Sequence, residues 1–307
     1  MTSTAVTGAG PAPSRRGWRE KDKYWGMFFV APQALGMLLF TLIPFAAAFL
    51  LAFTDWNGFG MPDFIGFENF RDQLTSPLLG RAIINTLVIA GVTVPIGLFL
   101  AIVGATVLNK IRGRAFYLVL FFAPVVTSAV AIALIWQQLL RADGVISGFL
   151  TSTFGIAPID WLGHPWLALL AVCLVTVWSS LGLNIVIFMA GLQSISPSVL
   201  EAAAIDGAGP VARFFKITLP LLSPIVFYQS VVAFISSLQT FDLVFVLVNN
   251  AGPDNGTRTI VYHIYDLGFA KSQFGLSSAA SIVLLALTLV ITAIQFGAQK
   301  KFVHYEG

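Results

Sequence analysis

Charged residues are missing from six long stretches of this sequence, and those stretches decide its fold class. They cover residues 26–54, 82–109, 115–140, 161–200, 217–241 and 272–299. The hydrocarbon core of a bilayer is about 30 Å thick and needs about 20 apolar residues as a helix, so each stretch is long enough to cross it once. Charged residues make up only 10% of the chain, against about 25% in a typical soluble domain. The sequence therefore predicts an integral membrane protein.

The predicted fold class is an all-α membrane protein with six transmembrane helices. We expect these helices over about residues 26–54, 82–109, 115–140, 166–192, 220–248 and 275–299. Pro44, Pro95 and Pro124 fall inside them, but membrane helices tolerate proline because neighbouring groups can satisfy the freed carbonyl. Residues 1–25 are expected to form a disordered tail, and residues 26–307 a single transmembrane domain.

The positions of lysine and arginine predict which way the helices face, because cytoplasmic loops carry an excess of both. With the N-terminus inside, 12 of the 17 fall in the tail, the inner loops and the C-terminal end, and 5 fall in the outer connections. Both termini are therefore predicted to be cytoplasmic in a multi-pass protein. The first apolar stretch exceeds the roughly 7–15-residue core of a cleaved signal peptide, so we expect it to be retained.

One charged segment, residues 201–220 (EAAAIDGAGPVARFFKITLP), lies on the predicted cytoplasmic side between two apolar stretches. Pro197 suits the first turn of a helix, with Glu201 in that turn, and the glycines that follow suit its left-handed end. Pro210 can begin a second short helix, and Pro220 can begin the next transmembrane helix. The alanines give the first helix a thin face that fits a groove on a partner. The same residues also suit a solvated loop that only joins two helices.

The same segment resembles a family motif. Its pattern E-A-A, D-G-A and I-x-L-P, at this spacing, is similar to the EAA motif in the membrane subunits of binding-protein-dependent ABC importers. In that family the loop forms the coupling helices, which sit in a cleft of the cytoplasmic ATP-binding subunit. The resemblance implies that the ATPase-coupling residues are Glu201, Ala202, Ala203, Asp206, Gly207, Ala208, Phe214, Ile217, Leu219 and Pro220.

Further stretches are similar to the carbohydrate-type branch of this family, the group around the maltose and glycerol-3-phosphate permeases. They are residues 53–58, 65–70, 85–86, 191–195, 241–243, 252–253 and 265–275. The likeness runs from about residue 26 to the end, with Ala251 standing where the branch usually has glycine. It implies a permease subunit that imports a sugar or oligosaccharide across a bacterial or archaeal inner membrane and forms half of the translocation path.

The resemblance also implies partners: a second homologous permease subunit, two ATP-binding subunits and an extracytoplasmic substrate-binding protein. ATP and Mg²⁺ would be bound by the partner ATPase, and this chain indeed lacks a G-x-x-x-x-G-K-[ST] phosphate loop. It contains no set of residues that suggests catalysis, and Cys173 and three separated histidines offer no metal site. We therefore expect a transport subunit and no enzyme, with no cofactor or metal of its own and no nucleic-acid partner.

Polar residues recur on one face of the fourth predicted helix and late in the fifth. They are Thr176, Ser179, Ser180 and Asn184 on the first, and Ser236, Ser237, Gln239 and Thr240 on the second. Offsets of three and four place residues on one helix face, and uncharged hydroxyls and amides suit the hydroxyl groups of a sugar. Trp178 or Phe234 could stack on a sugar ring. Small polar residues also serve simple helix–helix contact, but the family resemblance favours a substrate path.

Asp242 is the only acid inside a predicted transmembrane helix. A charge at the bilayer centre costs about 2.5–3.5 kcal/mol on insertion scales, so this acid is a candidate for the path or for pairing between helices. Its late position also allows a solvated place at the membrane surface. The alternative function is an ion-coupled secondary transporter or channel, which needs a buried relay or an inverted repeat. The sequence contains neither, and a membrane-embedded enzyme would lack a catalytic set.

Overall fold

The structure is a computed structural model that describes residues 16–302, with side chains described for residues 23–203 and 205–300. It divides into two compact units, Met1–Leu50 and Leu51–Gly307. In chain order the elements are α1 (Arg16–Met37), α2 (Ile43–Leu51), β1 (Thr54–Asp55), β2 (Asp63–Phe64), α3 (Glu68–Thr75), α4 (Pro77–Leu108), α5 (Arg114–Phe122), α6 (Ala129–Leu139), α7 (Val145–Phe154), α8 (Pro165–Ser194), α9 (Pro197–Ile205), α10 (Pro210–Arg213), α11 (Leu219–Leu238), α12 (Ile260–Tyr265) and α13 (Phe274–Phe302). Short π-helical and 3-10 turns join several of them.

The first unit consists of α1 and nearly all of α2, joined by a π-helical turn at Leu38–Leu42. Pro44 follows this turn and has no N–H to donate, so the hydrogen-bond ladder adjusts next to it. The helix begins at Arg16, which corrects the expectation of a disordered tail for residues 16–25. Arginine, glutamate and lysine favour helix formation there. The remainder of the predicted tail, residues 1–15, lies outside the described residues.

Four long apolar helices, α4, α8, α11 and α13, form the core of the second unit. Small residues bring α4 and α8 close together: Ala101 and Ala105 are fully buried. Gly104 faces Ile185 so closely that a side-chain carbon on the glycine would lie 3.1 Å from the isoleucine Cδ1. Without a hydrophobic driving force between helices in lipid, such close contact is what holds a membrane bundle together.

The core has two ends, which differ in the elements that cover them. At the Arg258 end, α4, α8 and α13 begin, α11 ends, and α12 and the loop before it pack against α4. At the Glu201 end, α4, α8 and α13 end, α11 begins, and α9 and α10 form the connection.

A small hairpin at the Arg258 end is fixed by one buried amide. Strands β1 and β2 pair antiparallel, and Asn69 of α3 donates from Nδ2 to the carbonyl oxygens of Ala52 and Thr54 at 3.0 and 2.8 Å. Gly275 of α13 lies against the same strand, and any side-chain carbon there would overlap the Thr54 carbonyl. The residue type at this position is therefore set by close backbone approach.

The third predicted transmembrane helix, residues 115–140, is broken in the structure. A 3-10 turn at Ala123–Val126 follows α5, and α6 continues at an angle of 102°. Pro124 removes one N–H from the ladder, and Gly182 of α8 packs directly on the Phe121 backbone at the bend. The described residues thus hold 5 helices long and apolar enough to cross a membrane, or up to 6 if the bent pair counts as one. The predicted all-α membrane fold is confirmed.

The fifth predicted helix is shifted along the chain. It runs without a break from Pro210 to Leu238 through a π-helical turn at Phe214–Thr218, so α10 is its first turn and no separate short helix exists. It does not continue to residue 248. Backbone N–H groups of Gln239 and Thr240 bond back over three residues, and this tightening ends the helix.

Candidate functional site

A cavity of about 240 Å³ lies between the middle parts of α4, α8 and α11. Six of the predicted path residues line it: Thr176, Ser179, Ser180, Asn184, Ser236 and Ser237. The helix spacing that placed the first four on one face of α8 therefore holds, and α11 brings the other two to the same space. Thr240, which lies just beyond the end of α11, lines it as well.

The hydroxyl groups on α8 already donate their hydrogens to carbonyl groups of the same helix. Thr176 Oγ1 donates to the Val172 carbonyl at 2.8 Å, and Ser179 and Ser180 donate to carbonyls three residues back at 3.1 and 3.0 Å. A hydroxyl has two lone pairs besides its one donated hydrogen. These side chains therefore present acceptor oxygens to the cavity without leaving a donor unsatisfied in the apolar helix.

A buried amide pair crosses the cavity wall. Gln229 Nε2 donates to Asn184 Oδ1 at 2.6 Å, and each of the two residues is 5% exposed. The remaining oxygen of Gln229, Oε1, is buried and has no hydrogen-bond partner among the described residues. Leaving a buried polar atom unsatisfied costs about 1–3 kcal/mol. The cavity therefore contains an acceptor that a bound hydroxyl group would satisfy.

The structure does not bring every predicted path residue to this cavity. Gln239 and Asp242 are exposed and lie in the break after α11, where Asp242 precedes the π-helical turn Leu243–Leu247. Trp178 packs edge-to-face on Trp136, with ring centroids 5.4 Å apart, and it does not line the cavity. Neither does Phe234, which packs against the α4–α8 contact. No side chain that lines the cavity is charged.

Sequence reasoning missed Gln229, Thr93 and Gly97 as cavity residues. Gln229 precedes Ser236 by seven residues, which is two helical turns, so the spacing on α11 contained the signal. Thr93 forms a hydrogen bond of 3.2 Å with Ser237 and ties α4 to α11. Nothing in the local pattern of α4 marks Thr93 or Gly97, because their role depends on which helix faces them.

The charged segment at the Glu201 end forms the predicted helix and turn. Gly207 has φ +76°, and the Ala208 N–H bonds to the Ala203 carbonyl at 3.0 Å. This is the hydrogen bond of a glycine-terminated helix end. Because α9 begins at Pro197, Glu201 lies in its second turn, one turn later than expected.

The two parts of this segment differ in exposure. Glu201, Ala202 and Asp206 are exposed, whereas Ala203 is only 6% exposed. Further on, Phe214 and Leu219 pack against the α4–α8 contact, and Ile217 and Pro220 are half-buried. The segment thus rests on the bundle through its apolar residues and leaves a small, charged helix face uncovered within the described residues.

A buried polar cluster holds the Arg258 end together. Arg258 is 4% exposed and donates from Nε to His263 Nδ1 at 3.1 Å and from Nη2 to Asp266 Oδ2 at 2.5 Å. A guanidinium can only donate, so His263 Nδ1 accepts and Nε2 carries the hydrogen that is donated to Gln73 Oε1 at 2.8 Å. Asn85 of α4 donates to the Arg258 carbonyl at 3.1 Å. These bonds join α3, α4 and α12.

Burial and charge shift the pKa values in this cluster. Burial, and after it the Arg258 charge, lower the pKa of His263 to about 4. Burial alone would raise the pKa of Asp266, but hydrogen bonds from Arg258 and Lys271 bring it below the usual value. His263 is therefore neutral and Asp266 ionised at neutral pH.

Comparison with known proteins gives consistent results. The family described as binding-protein-dependent transport system inner membrane component matches residues 93–303. The probable ABC transporter permease protein YesP of Bacillus subtilis is 36% identical over 294 residues, which cover 94% of this chain and 94% of that protein. The diacetylchitobiose uptake system permease protein NgcF of Streptomyces coelicolor is 34% identical, over 93% of this chain and 87% of its own.

Two solved structures share the fold. A bacterial ABC transporter involved in the import of the acidic polysaccharide alginate contains a chain that superposes with a TM-score of 0.82, over 94% of this chain and 100% of that one. The bacterial alginate ABC transporter in complex with alginate pentasaccharide-bound periplasmic protein gives 0.80, over 95% of this chain and 100% of that one. Both are 23% identical to this chain.

Proposed function

Since this chain belongs to the family of binding-protein-dependent transport system inner membrane components, we propose that it is the permease subunit of an ATP-driven ABC importer whose cargo is a carbohydrate. The observation that supports a carbohydrate cargo is the cavity between α4, α8 and α11, whose polar lining consists of hydroxyls and amides. Relatives named for diacetylchitobiose uptake, multiple sugar-binding transport and lactose transport support the same class.

The cavity favours an uncharged cargo. A charge moved from water into an apolar environment is costly unless an opposite charge compensates it, and no lining side chain supplies one. A sugar offers hydroxyl groups that both donate and accept. Its hydroxyls can donate to Gln229 Oε1 and to the serine oxygens of α8, and can accept from the free N–H groups of Asn184.

The size of the cavity supports a second permease subunit. Its volume of about 240 Å³ is smaller than the roughly 300–1,000 Å³ of typical ligand sites. A homologous subunit facing this one would supply the other half of the path. In this arrangement an extracytoplasmic substrate-binding protein delivers the cargo to the loops of the Arg258 end.

The Glu201 end faces the cytoplasm in this proposal. The excess of lysine and arginine in the connections at that end supports the orientation. Both termini then lie on the cytoplasmic side of the cell membrane of a bacterium or archaeon. Two ATP-binding subunits, which bind ATP and Mg²⁺, would grip the exposed face of α9 around Glu201 and Ala202. Their closure on ATP would shift α9 and, through Phe214 and Leu219, the bundle that surrounds the cavity.

The first experiment is a pull-down of the tagged chain from native membranes in mild detergent, followed by mass spectrometry. We expect a second permease and an ATP-binding subunit to be recovered with it. The double change Glu201→Lys and Gly207→Asp should release the ATP-binding subunit and abolish uptake, because it reverses a charge and puts a side chain at φ +76°. Insertion of the chain is expected to be unchanged. Full uptake by the double variant, or uptake by the purified chain alone under an ion gradient, would overturn the proposal.

The cavity needs a separate test. Gln229→Met keeps the volume but removes the buried acceptor and the donor to Asn184 Oδ1. Sugar uptake should weaken by about tenfold, since a buried polar group left without its partner costs about 1–3 kcal/mol and a tenfold change corresponds to about 1.4 kcal/mol. Gln193→Met is the matched control, because Gln193 is exposed near the end of α8 and outside the cavity. If both changes weaken uptake equally, the cavity is not part of the substrate path.

A further inference from the structure

A second cavity, of about 180 Å³, lies at the Glu201 end where α4 and α8 end and α10 begins. Its polar lining comes from two elements. Thr106, Asn109 and Lys110 belong to the end of α4 and the turn after it, and Arg213 and Thr218 belong to the start of the helix that continues into α11. Two positively charged residues therefore line one space between the bundle and the charged segment.

Neither cation has an anionic partner. The ion pairs among the described side chains are Arg141–Asp143, Arg258–Asp266 and Lys271–Asp266, and none of them involves Lys110 or Arg213. The acids of the neighbouring segment, Glu201 and Asp206, are exposed and do not line the cavity. Two like charges that share a site disfavour each other. An anion between them would remove that repulsion.

The remaining polar groups of the cavity include an amide that can donate and a hydroxyl that can accept. Arg114 donates from Nη1 to Asn109 Oδ1 at 3.1 Å, which orients this amide and leaves its N–H groups able to donate. Thr106 donates its hydrogen to the Ile102 carbonyl at 2.8 Å. The lining residues that can donate to an anion are thus Asn109, Lys110 and Arg213. Lysine and arginine together with neutral N–H groups are the usual ligands of phosphate oxygens.

We propose that this cavity binds a phosphate group, carried either by an anionic phospholipid headgroup or by free phosphate. Its volume of about 180 Å³ leaves room for a tetrahedral anion. The proposed orientation puts the site at the cytoplasmic surface, where anionic lipids concentrate and basic pockets between helices hold their headgroups; in this respect the inference rests on the proposed function.

A phosphate here would join two parts of the coupling machinery. Lys110 and Asn109 are anchored at the end of α4, whereas Arg213 lies directly before Phe214, which packs against the bundle. Leu200 of α9 also lines the cavity. Occupancy would therefore hold α9 and the start of α11 against α4, in the position from which the ATP-binding subunits move them.

The test is a binding measurement on the full-length chain purified in neutral detergent. One arm titrates phosphatidylglycerol against a phosphatidylcholine reference, with native mass spectrometry of the retained lipid, and the other arm titrates inorganic phosphate at constant ionic strength. The double change Lys110→Gln and Arg213→Gln should weaken binding at least about tenfold. The matched control is Arg112→Gln with Lys216→Gln, which removes the same charge at exposed positions outside the cavity and should leave binding unchanged.

The two arms separate the sources of the phosphate group. Binding of the lipid alone assigns the site to a headgroup, and binding of inorganic phosphate assigns it to a free anion. A Lys110→Arg and Arg213→Lys variant keeps both charges and should restore binding, which shows that the glutamine variant lost a site and not its fold. Equal weakening by the control variant, or binding of neither ligand to the unchanged chain, would overturn the inference. Because sugar uptake is not part of this measurement, a failure of the phosphate inference can be distinguished from a failure of the proposed function.

Discussion

The two ends of the core solve the problem of charge in opposite ways. At the Arg258 end the buried guanidinium of Arg258 is paired inside the chain: it forms one network with Asp266 and the exposed Lys271, and His263 within it is neutral. At the Glu201 end Lys110 and Arg213 share a cavity with no carboxylate beside them. Charges that are paired within the chain need no ligand to hold them in place, whereas the unpaired cations at the Glu201 end can bind an external anion.

The same contrast is seen in packing. Gly275 at the Arg258 end has no room for a side chain, but Gly297, near the other end of the same helix, has nothing within 4 Å of where a side-chain carbon would be. The Arg258 end is therefore a fixed platform that orients α3, α4 and α12. The Glu201 end holds its segment through a few apolar contacts, which suits an element that has to move with a partner.

Arg258→Met should give the largest loss of stability. It leaves the carboxylate of Asp266, whose side chain is 16% exposed, with Lys271 as its only charged partner. Breaking a buried ion pair by removing one member costs about 3–5 kcal/mol. Thermal unfolding of the purified chain, followed by circular dichroism, measures this loss. Arg141→Met removes an arginine from an exposed pair and should shift the midpoint far less; comparable shifts would mean that pairing at the Arg258 end contributes nothing special.

The pH dependence of unfolding should reveal His263. Its pKa is about 4 in the folded chain and 6.5 when exposed, so between these values the unfolded chain binds a proton that the folded chain does not. Stability is therefore full above pH 6.5 and falls as the pH drops towards 4. At about 1.4 kcal/mol for each pKa unit, the loss between pH 7 and pH 4.5 is about 2–3 kcal/mol.

His263→Gln is the control for this prediction, since glutamine keeps a donor for Gln73 and does not titrate. The variant should lose most of the difference in stability between pH 7 and pH 4.5. Asp266 titrates below this window because its pKa is lowered from 3.8. An identical pH dependence in both proteins would show that folding does not lower the pKa of His263.

Gly275→Ala and Gly297→Ala test the packing contrast within one helix. The first change pushes a methyl group into the Thr54 carbonyl and the amide of Asn69, and overpacking of this kind costs about 1–3 kcal/mol. The second fills open space in a helix interior, where alanine is favoured over glycine by about 0.5–1 kcal/mol. The unfolding midpoints should therefore move in opposite directions. Movement in the same direction would show that the two ends are packed alike.

Arg213→Gln should have the smallest effect on stability. Without an internal partner to lose, the variant is expected to stay within about 0.5 kcal/mol of the unchanged chain in neutral detergent free of phosphate and anionic lipid. Addition of phosphatidylglycerol should then separate the two proteins. A large loss without any ligand would mean that Arg213 is held by an internal contact and that the contrast between the two ends is weaker than described.

Much of the fold was readable from the sequence because hydrophobic length and helical spacing are local properties. The apolar stretches marked the helices, and offsets of three and four marked the face of α8 that lines the cavity. The bend after Phe122 was not readable, although Pro124 was visible. Other prolines, such as Pro95, lie inside a continuous helix, and the difference comes from Gly182 packing on the Phe121 backbone. The early end of α11 was missed because apolar residues continue beyond it.

Some features of the site depend on residues that are distant in the chain. The sequence by itself determined the membrane class and the α9–Gly207 turn, because both follow from composition or from spacing within one helix. Only the tertiary structure decided that Gln229 faces Asn184 with an unsatisfied oxygen, that Asp242 lies outside the cavity, and that Lys110 and Arg213 share one. Those arrangements arise from the way helices pack against one another, and a spacing rule within one helix carries no information about its neighbour.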